Sequence, residues 1–219
     1  DDNTEYDISG FNNHGTLIGS LTIEQNSPRY KYCYGFDGNK TAIACPTSVK
    51  VTDEITVSTW GYMDKWDGEQ RLFSCTETGG WSLENNSGRI SFIVYASGNY
   101  TSCTSDKTWA SLQSGWHHFC ATYNGLKSCL YIDGNLDKET TFFSTKTPIQ
   151  YNPRNTVFVG GEAVGDTITA VNPHFNGFIS DFRIYATALS AQDIQELYNT
   201  PVSLSNTGTL MTQGEFIEE

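Results

Sequence analysis

The sequence predicts an all-β protein in which two antiparallel sheets pack face to face. Runs of β-branched and aromatic residues alternate with polar ones, as in ITVSTWGYM at Ile55–Met63 and RISFIVYA at Arg89–Ala96. Aromatic residues make up 13% of the chain and there are 20 glycines, which fits many short strands joined by turns better than packed helices. Four glycine dipeptides suit tight hairpin turns: Asp37-Gly38, Ser87-Gly88, Asn124-Gly125 and Asp133-Gly134.

Strand-like runs occur along most of the chain. Besides the two above, they cover 41–45, 71–75, 117–123, 129–133, 156–161 and 175–185. Roughly ten to twelve short strands cannot bury their apolar faces in one open sheet, so two packed sheets are expected. Five large side chains in these runs are predicted to be mostly buried: Trp60, Phe92, Trp116, Ile132 and Phe182.

One short helix is predicted near the C-terminus, where Ser190 can cap the first turn and Asp193 occupies its third position. Its apolar face would hold Ile194, Leu197 and Tyr198. The helix should end before Pro201. We therefore predict one domain over residues 1–200 and a C-terminal extension, or a linker to a further domain, over 201–219.

The charge of the chain argues against several classes of partner. Thirteen Lys and Arg against 25 Asp and Glu give a formal net charge of −12, which repels nucleic acid and anionic membrane surfaces. The apolar runs have the length of strands, so no membrane insertion is expected. Because the chain opens in polar sequence without an apolar leader, we interpret it as a mature product or a fragment of a longer protein.

The sequence contains six cysteines, and none lies in a close C-x-x-C pair, which disfavours a zinc cluster. We expect most of them to be reduced residues that fill space in strands, with disulfides as the alternative. A two-residue turn at Asn124-Gly125 predicts that Cys120 lies opposite Cys129 on one face. A four-residue turn would instead pair Cys129 with Thr122 and leave the cysteines diagonal.

Six motifs, in this order, resemble the concanavalin A-like lectin/glucanase superfamily, and its laminin-G-like branch in particular. They are SGFNNHGTLIG (9–19), YGFDG (34–38), ITVSTWGYM (55–63), GWHHFCATYNG (115–125), LYIDG (130–134) and FNGFISDFRIYATALSAQDI (175–194). The resemblance extends from about residue 8 to residue 200 and implies a jelly-roll sandwich. In the strand predicted within GWHHFCATYNG, His117 and His118 are adjacent and point to opposite faces, so they cannot bind one metal ion together.

The C-terminal segment 202–219 and the stretch ETGGWSLENN (77–86) are similar to laminin-G-like domains of bacteriophage tail and minor structural proteins. That likeness implies a location on a virion tail that faces the host cell, oligomerisation through the parent protein, and reduced cysteines from assembly in bacterial cytosol. A secreted or bacterial cell-surface protein is the alternative.

The sequence does not predict an enzyme. Glucanases of this superfamily use Glu-x-Asp-x-x-Glu or Glu-x-Asp-x-Glu on one strand, and the chain has neither pattern nor a G-x-S-x-G nucleophile motif. A glycoside hydrolase is therefore the least favoured reading.

The resemblance also implies a calcium ion, for which carboxylates and loop carbonyls are suitable ligands. The candidate ligands are Asp37 in FDG and Asp181 in ISDFRIY, one near each end of the fold. The alternative is that both are solvated carboxylates of a turn or strand.

For carbohydrate binding, aromatic faces stack on sugar rings beside groups that bond hydroxyls. The loop-placed candidates are Trp66, Asp67, Trp81, Tyr100, Trp109, Asp166 and His174. The segment 161–174 is the best single candidate loop, because it is long and polar among otherwise short turns. For each candidate residue, the alternative is that it covers the edge of the core. We predict a non-catalytic recognition module for a cell-surface or extracellular glycan, with a structural or protein-interaction domain as the second reading.

Overall fold

The structure is a computed structural model that describes residues 3–25, 27–29, 32–63, 68–76, 78–153, 155–164, 167–168, 175–199 and 209–212. Its strands, in chain order, are β1 (Thr4–Glu5), β2 (Gly15–Ile18), β3 (Thr22–Glu24), β4 (Cys33–Asp37), β5 (Ala42–Cys45), β6 (Ile55–Met63), β7 (Gln70–Ser74), β8 (Trp81–Asn86), β9 (Arg89–Ala96), β10 (Asn99–Thr104), β11 (His117–Tyr123), β12 (Lys127–Ile132), β13 (Asn135–Thr141), β14 (Val157–Val159), β15 (Ala163–Val164), β16 (Thr167–Ile168), β17 (Asn176–Tyr185) and β18 (Thr209–Thr212). The helix α1 covers Ala191–Asn199, and short 3-10 helices cover Thr47–Val49 and Trp109–Ser111.

The strands form two large antiparallel sheets, as predicted. Sheet I has eight strands in the order β1-β2-β5-β14-β7-β8-β9-β10. Sheet II has seven strands in the order β13-β12-β11-β6-β17-β4-β3, and β18 pairs with β17 beside this path. Strand β18 lies within the predicted extension, whereas 201–208 and 213–219 lie outside the described residues. In the part of the chain that the structure describes, no helix is long and apolar enough to cross a bilayer.

The core lies between the two sheets, because alternate side chains of each strand point inward. Phe92, Ile132 and Phe182 belong to this core and are at most 3% exposed, as predicted. Trp60 is also buried, but on the outer face of sheet II beneath α1. Trp116 is only half-buried, which corrects its assignment to the core.

Helix α1 packs on the outer face of sheet II. Ser190 and Asp193 cap it reciprocally: Ser190 Oγ accepts from the Asp193 N–H at 3.2 Å, and Asp193 Oδ2 accepts from the Ser190 N–H at 2.9 Å. Ile194 and Leu197 are buried, and Ile194 contacts Tyr131 and its neighbours on the sheet. The helix therefore covers much of this outer face.

The β11–β12 hairpin has a four-residue turn, so the two-residue prediction was wrong. Thr122 pairs with Cys129, which leaves Cys120 and Cys129 diagonal on one face. The Asn124 side chain explains the longer turn, since its Oδ1 accepts the N–H groups of both Leu126 and Lys127 at 3.0 Å. No disulfide joins any of the six cysteines, and all six are buried.

Candidate functional site

Two motifs that are far apart in sequence meet at one end of sheet II. Strands β4 and β17 are paired so that Asp37 faces Asn176 and Gly35 faces Phe178. Phe36 points into the core, where its ring meets Phe175 edge-on at 5.9 Å. Alternation along the strands then places Asp37 and Phe178 on the outer face.

Glycine at position 35 of β4 allows side chains of the neighbouring strands β3 and β17 to pack closely over it on this outer face. A Cβ at Gly35 would lie 2.2 Å from Thr22 Oγ1 and 3.2 Å from Phe178 Cε1. Any larger residue would push apart the Thr22 hydroxyl and the Phe178 ring. Gly177 is similarly required, because its φ is +143° and a Cβ would lie 2.1 Å from the carbonyl oxygen of Tyr62.

Three half-buried rings lie close together on the outer face, between β17 and β11. Phe178 pairs with Tyr62 in the sheet, and their ring centroids are 5.9 Å apart. Trp116, just before β11, lies 5.9 Å from Tyr62 and 6.5 Å from Phe178. We call Phe178, Tyr62 and Trp116 the aromatic row.

A pocket of about 230 Å³ opens beside Phe178, at the end of the aromatic row. Its polar side chains come from three segments that sheet II brings together. We call it the polar pocket; the residues that matter here are Ser20, Thr22, Glu24, Asp37, Asn176 and Phe178.

Asp37 contributes a carboxylate that stays charged at neutral pH. Its Oδ1 accepts from the Asn39 N–H at 2.9 Å and from Thr41 Oγ1 at 2.8 Å. Slight desolvation favours the neutral acid, but the hydrogen bonds from Thr41 and the turn backbone outweigh it and lower the pKa of Asp37.

The rest of the outer face around Trp60 is covered. Tyr198 of α1 stacks on Trp60 with ring centroids 5.5 Å apart and planes 14° apart. The Arg29 guanidinium lies 4.7 Å from the centroid of the same ring. The open aromatic surface of sheet II is therefore concentrated at the aromatic row.

The two histidines of β11 lie on opposite faces of the sheet, as predicted. His118 Nε2 lies 2.8 Å from Ser58 Oγ, and burial lowers the pKa of His118 to about 3. His117 Nδ1 lies 2.8 Å from Asp133 Oδ2, and its Nε2 lies 2.6 Å from the Gln113 carbonyl oxygen. None of these three partners, Ser58, Asp133 and Gln113, lines the polar pocket.

Asp181, one predicted calcium ligand, is paired with a cation of its own strand. Arg183 donates from Nε to Asp181 Oδ1 at 2.5 Å and from Nη2 to Oδ2 at 3.0 Å. This buried, bidentate pair occupies the carboxylate, a role that the sequence did not reveal. Within the described ranges no three His, Cys, Asp or Glu residues converge as a metal-binding group, so calcium remains a prediction.

Trp81 was wrongly predicted to lie on a loop. It begins β8, is fully buried in the core, and donates from Nε1 to Tyr151 Oη at 3.0 Å. The preceding Gly80 explains the difference, because its backbone lies so close to Cys75 that a Cβ would be 1.9 Å from the carbonyl oxygen. This close approach turns Trp81 inward, where no sugar can reach it.

The other described candidates lie away from the polar pocket. Tyr100 is 47% exposed on β10 of sheet I, where its ring lies 4.8 Å from that of Tyr95. Its hydroxyl donates to the Thr76 carbonyl oxygen at 2.5 Å and accepts from the Gly79 N–H at 2.9 Å. Trp109 is half-buried with its ring edge-on to His117. Four candidates lie outside the described residues: Trp66, Asp67, Asp166 and His174.

The aromatic row and, apart from Asp37, the polar pocket were not predicted from the sequence. Phe178, Tyr62 and Trp116 lie within the six motifs, but Trp116 was predicted to be buried and no role was predicted for the other two. A usable signal was present, because in ITVSTWGYM the inward residues are Ile55, Val57 and Met63, which places Tyr62 on the outer face. The presence of Thr22 and Glu24 of β3 in the pocket could not be predicted, because neither segment has a sequence pattern that indicates the pairing of β3 with β4.

Sequence analysis also missed a cluster of three carboxylates around Arg71. The guanidinium lies 2.6 Å from Glu84, 3.2 Å from Glu162 and 3.4 Å from Glu69. Burial raises the pKa of Glu84, and the charge of Arg71 opposes that rise. These acids come from separate segments, so no local spacing could indicate them.

The chain belongs to the Concanavalin A-like lectin/glucanases superfamily, whose laminin-G-type family matches residues 37–195. The match covers well over half of the sequence and includes Asp37, Tyr62, Trp116, Asn176 and Phe178 of the site, whereas β3 and all of β4 but Asp37 precede it. No curated protein sequence matches the chain.

Solved structures share the fold. The binding domain of Paraclostridial Mosquitocidal Protein 1 superposes with a TM-score of 0.69 at 17% identity, over 89% of this chain and 49% of that one. Domain 4 of AbnA, a GH43 extracellular arabinanase from Geobacillus stearothermophilus solved with arabinotriose, gives 0.68 at 16% identity over 90% and 98%. A structure of botulinum neurotoxin type C, whose cell entry depends on interaction with two ganglioside molecules, gives 0.68 at 17% over 91% and 51%. The chain thus spans about half the length of the toxin structures.

Proposed function

We propose that the domain is a non-catalytic carbohydrate-binding module and that the aromatic row and the polar pocket are its binding site. The observation that carries the proposal is their adjacency: three partly exposed rings lead into a pocket of hydroxyl, amide and carboxylate groups. Aromatic faces bind the apolar faces of sugar rings, and polar groups beside them bond the hydroxyls.

The dimensions suit a short oligosaccharide. The pocket volume of about 230 Å³ is below the 300–1,000 Å³ typical of sites for drug-sized ligands, so it suits a single small ring. The three rings of the aromatic row form a compact patch beside the pocket, with centroids 5.9, 5.9 and 6.5 Å apart. A further ring of the same ligand would lie against this patch.

The likeness to known binding domains supports the proposal without carrying it. The arabinanase domain solved with arabinotriose is matched over nearly its whole length, whereas the toxin structures are matched over about half. We further propose that the ligand is a cell-surface or extracellular glycan. The setting remains the predicted host-facing virion tail, with a secreted or bacterial surface protein as the alternative.

The carboxylate cluster on sheet I does not favour hydrolysis. Glycosidases flank the scissile bond with an acid and a base or nucleophile. Here Glu84 is 1% exposed and is ion-paired with Arg71, which also pairs with Glu162. Both carboxylates are thus engaged with one guanidinium, and we propose a structural role for the cluster.

A glycan array followed by calorimetry on the best-bound oligosaccharide tests the proposal. Phe178→Ala and Tyr62→Ala should each weaken binding about fivefold or more, since a stacked ring contributes on the order of 1 kcal/mol. Tyr100→Ala, which removes a partly exposed ring from sheet I, is the matched control and should bind as wild type. Loss of binding in Tyr100→Ala with full binding in the other two would transfer the site to the sequence-predicted position on sheet I.

A protein-interaction module is the second candidate. The edge strands of sheet II each expose an aliphatic side chain, Ile23 on β3 at 52% and Leu136 on β13 at 53%. Exposed strand edges are templates for pairing with another chain. An array that shows no glycan binding, together with a pairing partner sensitive to Leu136→Lys, would favour this reading.

A further inference from the structure

We infer that the polar pocket selects uncharged sugars and rejects glycans that carry a carboxylate or sulfate group. This inference rests on the proposed function and names the substrate class of the same site. It assigns the selectivity to Glu24 and Asp37.

The charges that line the pocket are negative. Glu24 and Asp37 are both exposed on the outer face of sheet II and line the cavity. No lysine or arginine is among the described lining residues. An anionic group in a cavity of this size would lie close to two like charges, and such pairs repel.

The nearby guanidinium groups on this face are already engaged. Arg183 is bonded to Asp181, and Arg29 lies over Trp60 close to Tyr198. The formal charge of −12 for the whole chain adds repulsion of the same sign. The described lining of the pocket therefore offers an acidic glycan no compensating cation.

The hydrogen-bond donors and acceptors of the pocket also favour uncharged sugars. The Glu24 and Asp37 carboxylates are acceptors only, so they require donors from the ligand. The hydroxyls of Ser20 and Thr22 and the Asn176 amide can both donate and accept. Sugar hydroxyls satisfy this set, whereas a carboxylate or sulfate brings further acceptors to groups that cannot donate.

The test compares oligosaccharides that differ only in charge. Wild-type protein is screened at low salt on an array that holds the same cores with and without terminal sialic acid, uronic acid or sulfate. We expect binding to uncharged cores and a loss of tenfold or more when the acidic group is added. The penalty should shrink as salt is raised, because salt screens repulsion at exposed sites.

Charge-removing variants assign the effect to the pocket. Glu24→Gln combined with Asp37→Asn should raise the affinity for the acidic member of a pair, relative to its uncharged partner, on the order of tenfold at low salt. Asn retains the side-chain oxygen that accepts from Asn39 and Thr41, and Glu24→Gln alone, at an exposed position, keeps the test valid if Asp37→Asn unfolds. The matched control is Asp53→Asn with Glu196→Gln, which removes the same charge elsewhere and should leave the discrimination intact.

The outcomes separate this inference from the proposed function. Sialylated or sulfated cores that bind as well as uncharged ones, in a manner sensitive to Phe178→Ala, would overturn the selectivity while upholding the site. Equal effects of the pocket pair and the control pair would also overturn it. Binding of no glycan at all would overturn the proposed function.

Discussion

At the scale of single residues, His117 shows how hydrogen-bond geometry determines a protonation state. Both of its ring nitrogens face oxygen acceptors, Asp133 Oδ2 at 2.8 Å and the Gln113 carbonyl at 2.6 Å. Only the doubly protonated imidazolium can donate to both. Desolvation opposes the charge, but these hydrogen bonds and the Asp133 carboxylate raise the pKa of His117 above its usual value.

This protonation makes stability depend on pH in a defined direction. Because the folded-state pKa of His117 is raised, its contribution is complete below its unfolded value of about 6.5 and is lost as pH rises through the folded value. The pKa of Asp133 is lowered, mainly by the bond to His117 against partial desolvation, so its contribution is lost only in acid. We expect wild type to lose roughly 1 kcal/mol of stability from His117 between mildly acidic and mildly basic pH.

His117→Gln should remove this part of the pH dependence. Glutamine keeps a donor for Asp133 but does not titrate, so its stability curve should be flatter than that of wild type over this pH range. Urea unfolding of both proteins at each pH measures the difference. Parallel curves for the two proteins would show that His117 does not carry the charge that its contacts require.

Trp81 illustrates the limit of sequence interpretation for single residues. The GG-W context indicated an exposed loop aromatic, yet the close packing of Gly80 on Cys75 turns the ring into the core. That packing is a tertiary contact between segments and has no local signature. Phe182, by contrast, was predicted correctly as a core residue, because its strand has a clear apolar alternation.

At the scale of elements, α1 shows local signals that agree with the fold. Ser190 and Asp193 form the predicted capping box, and Ile194 and Leu197 form the predicted buried face. The turn after β11 shows the opposite case, since the dipeptide Asn124-Gly125 predicted a shorter turn than the Asn124 side chain creates. Turn length, and therefore register, depends on side-chain bonds that a dipeptide alone does not specify.

Ser190→Ala should destabilise the domain by about 0.5–2 kcal/mol, the usual cost of losing an N-cap. The expected origin is fraying of the first turn of α1, which weakens the packing of Tyr198 on Trp60. Denaturant unfolding measures the cost, and near-ultraviolet circular dichroism reports on the stacked rings. Gln195→Ala on the exposed side of the helix is the control and should not destabilise; an equal loss in both variants would contradict the cap assignment.

At the scale of the whole molecule, the proposed site is built from residues that look structural in sequence. The motifs containing Gly35, Tyr62 and Phe178 are strand signatures of the superfamily, and in the sandwich their outward residues form one surface. The sequence predicted the sandwich because each strand carries its own pattern. It could not predict the site, because the site depends on which strands are neighbours and which outer surface α1 leaves open.

A heteronuclear NMR titration with the best-bound neutral oligosaccharide tests the central claim most directly. We predict that backbone and indole signals change first in the polar pocket and aromatic row, around Thr22, Asp37, Tyr62, Trp116 and Phe178, with small changes at Tyr95 and Tyr100 on sheet I. Saturable changes confined to sheet I, with the signals of Tyr62 and Phe178 unmoved, would contradict the assignment of the binding site to sheet II.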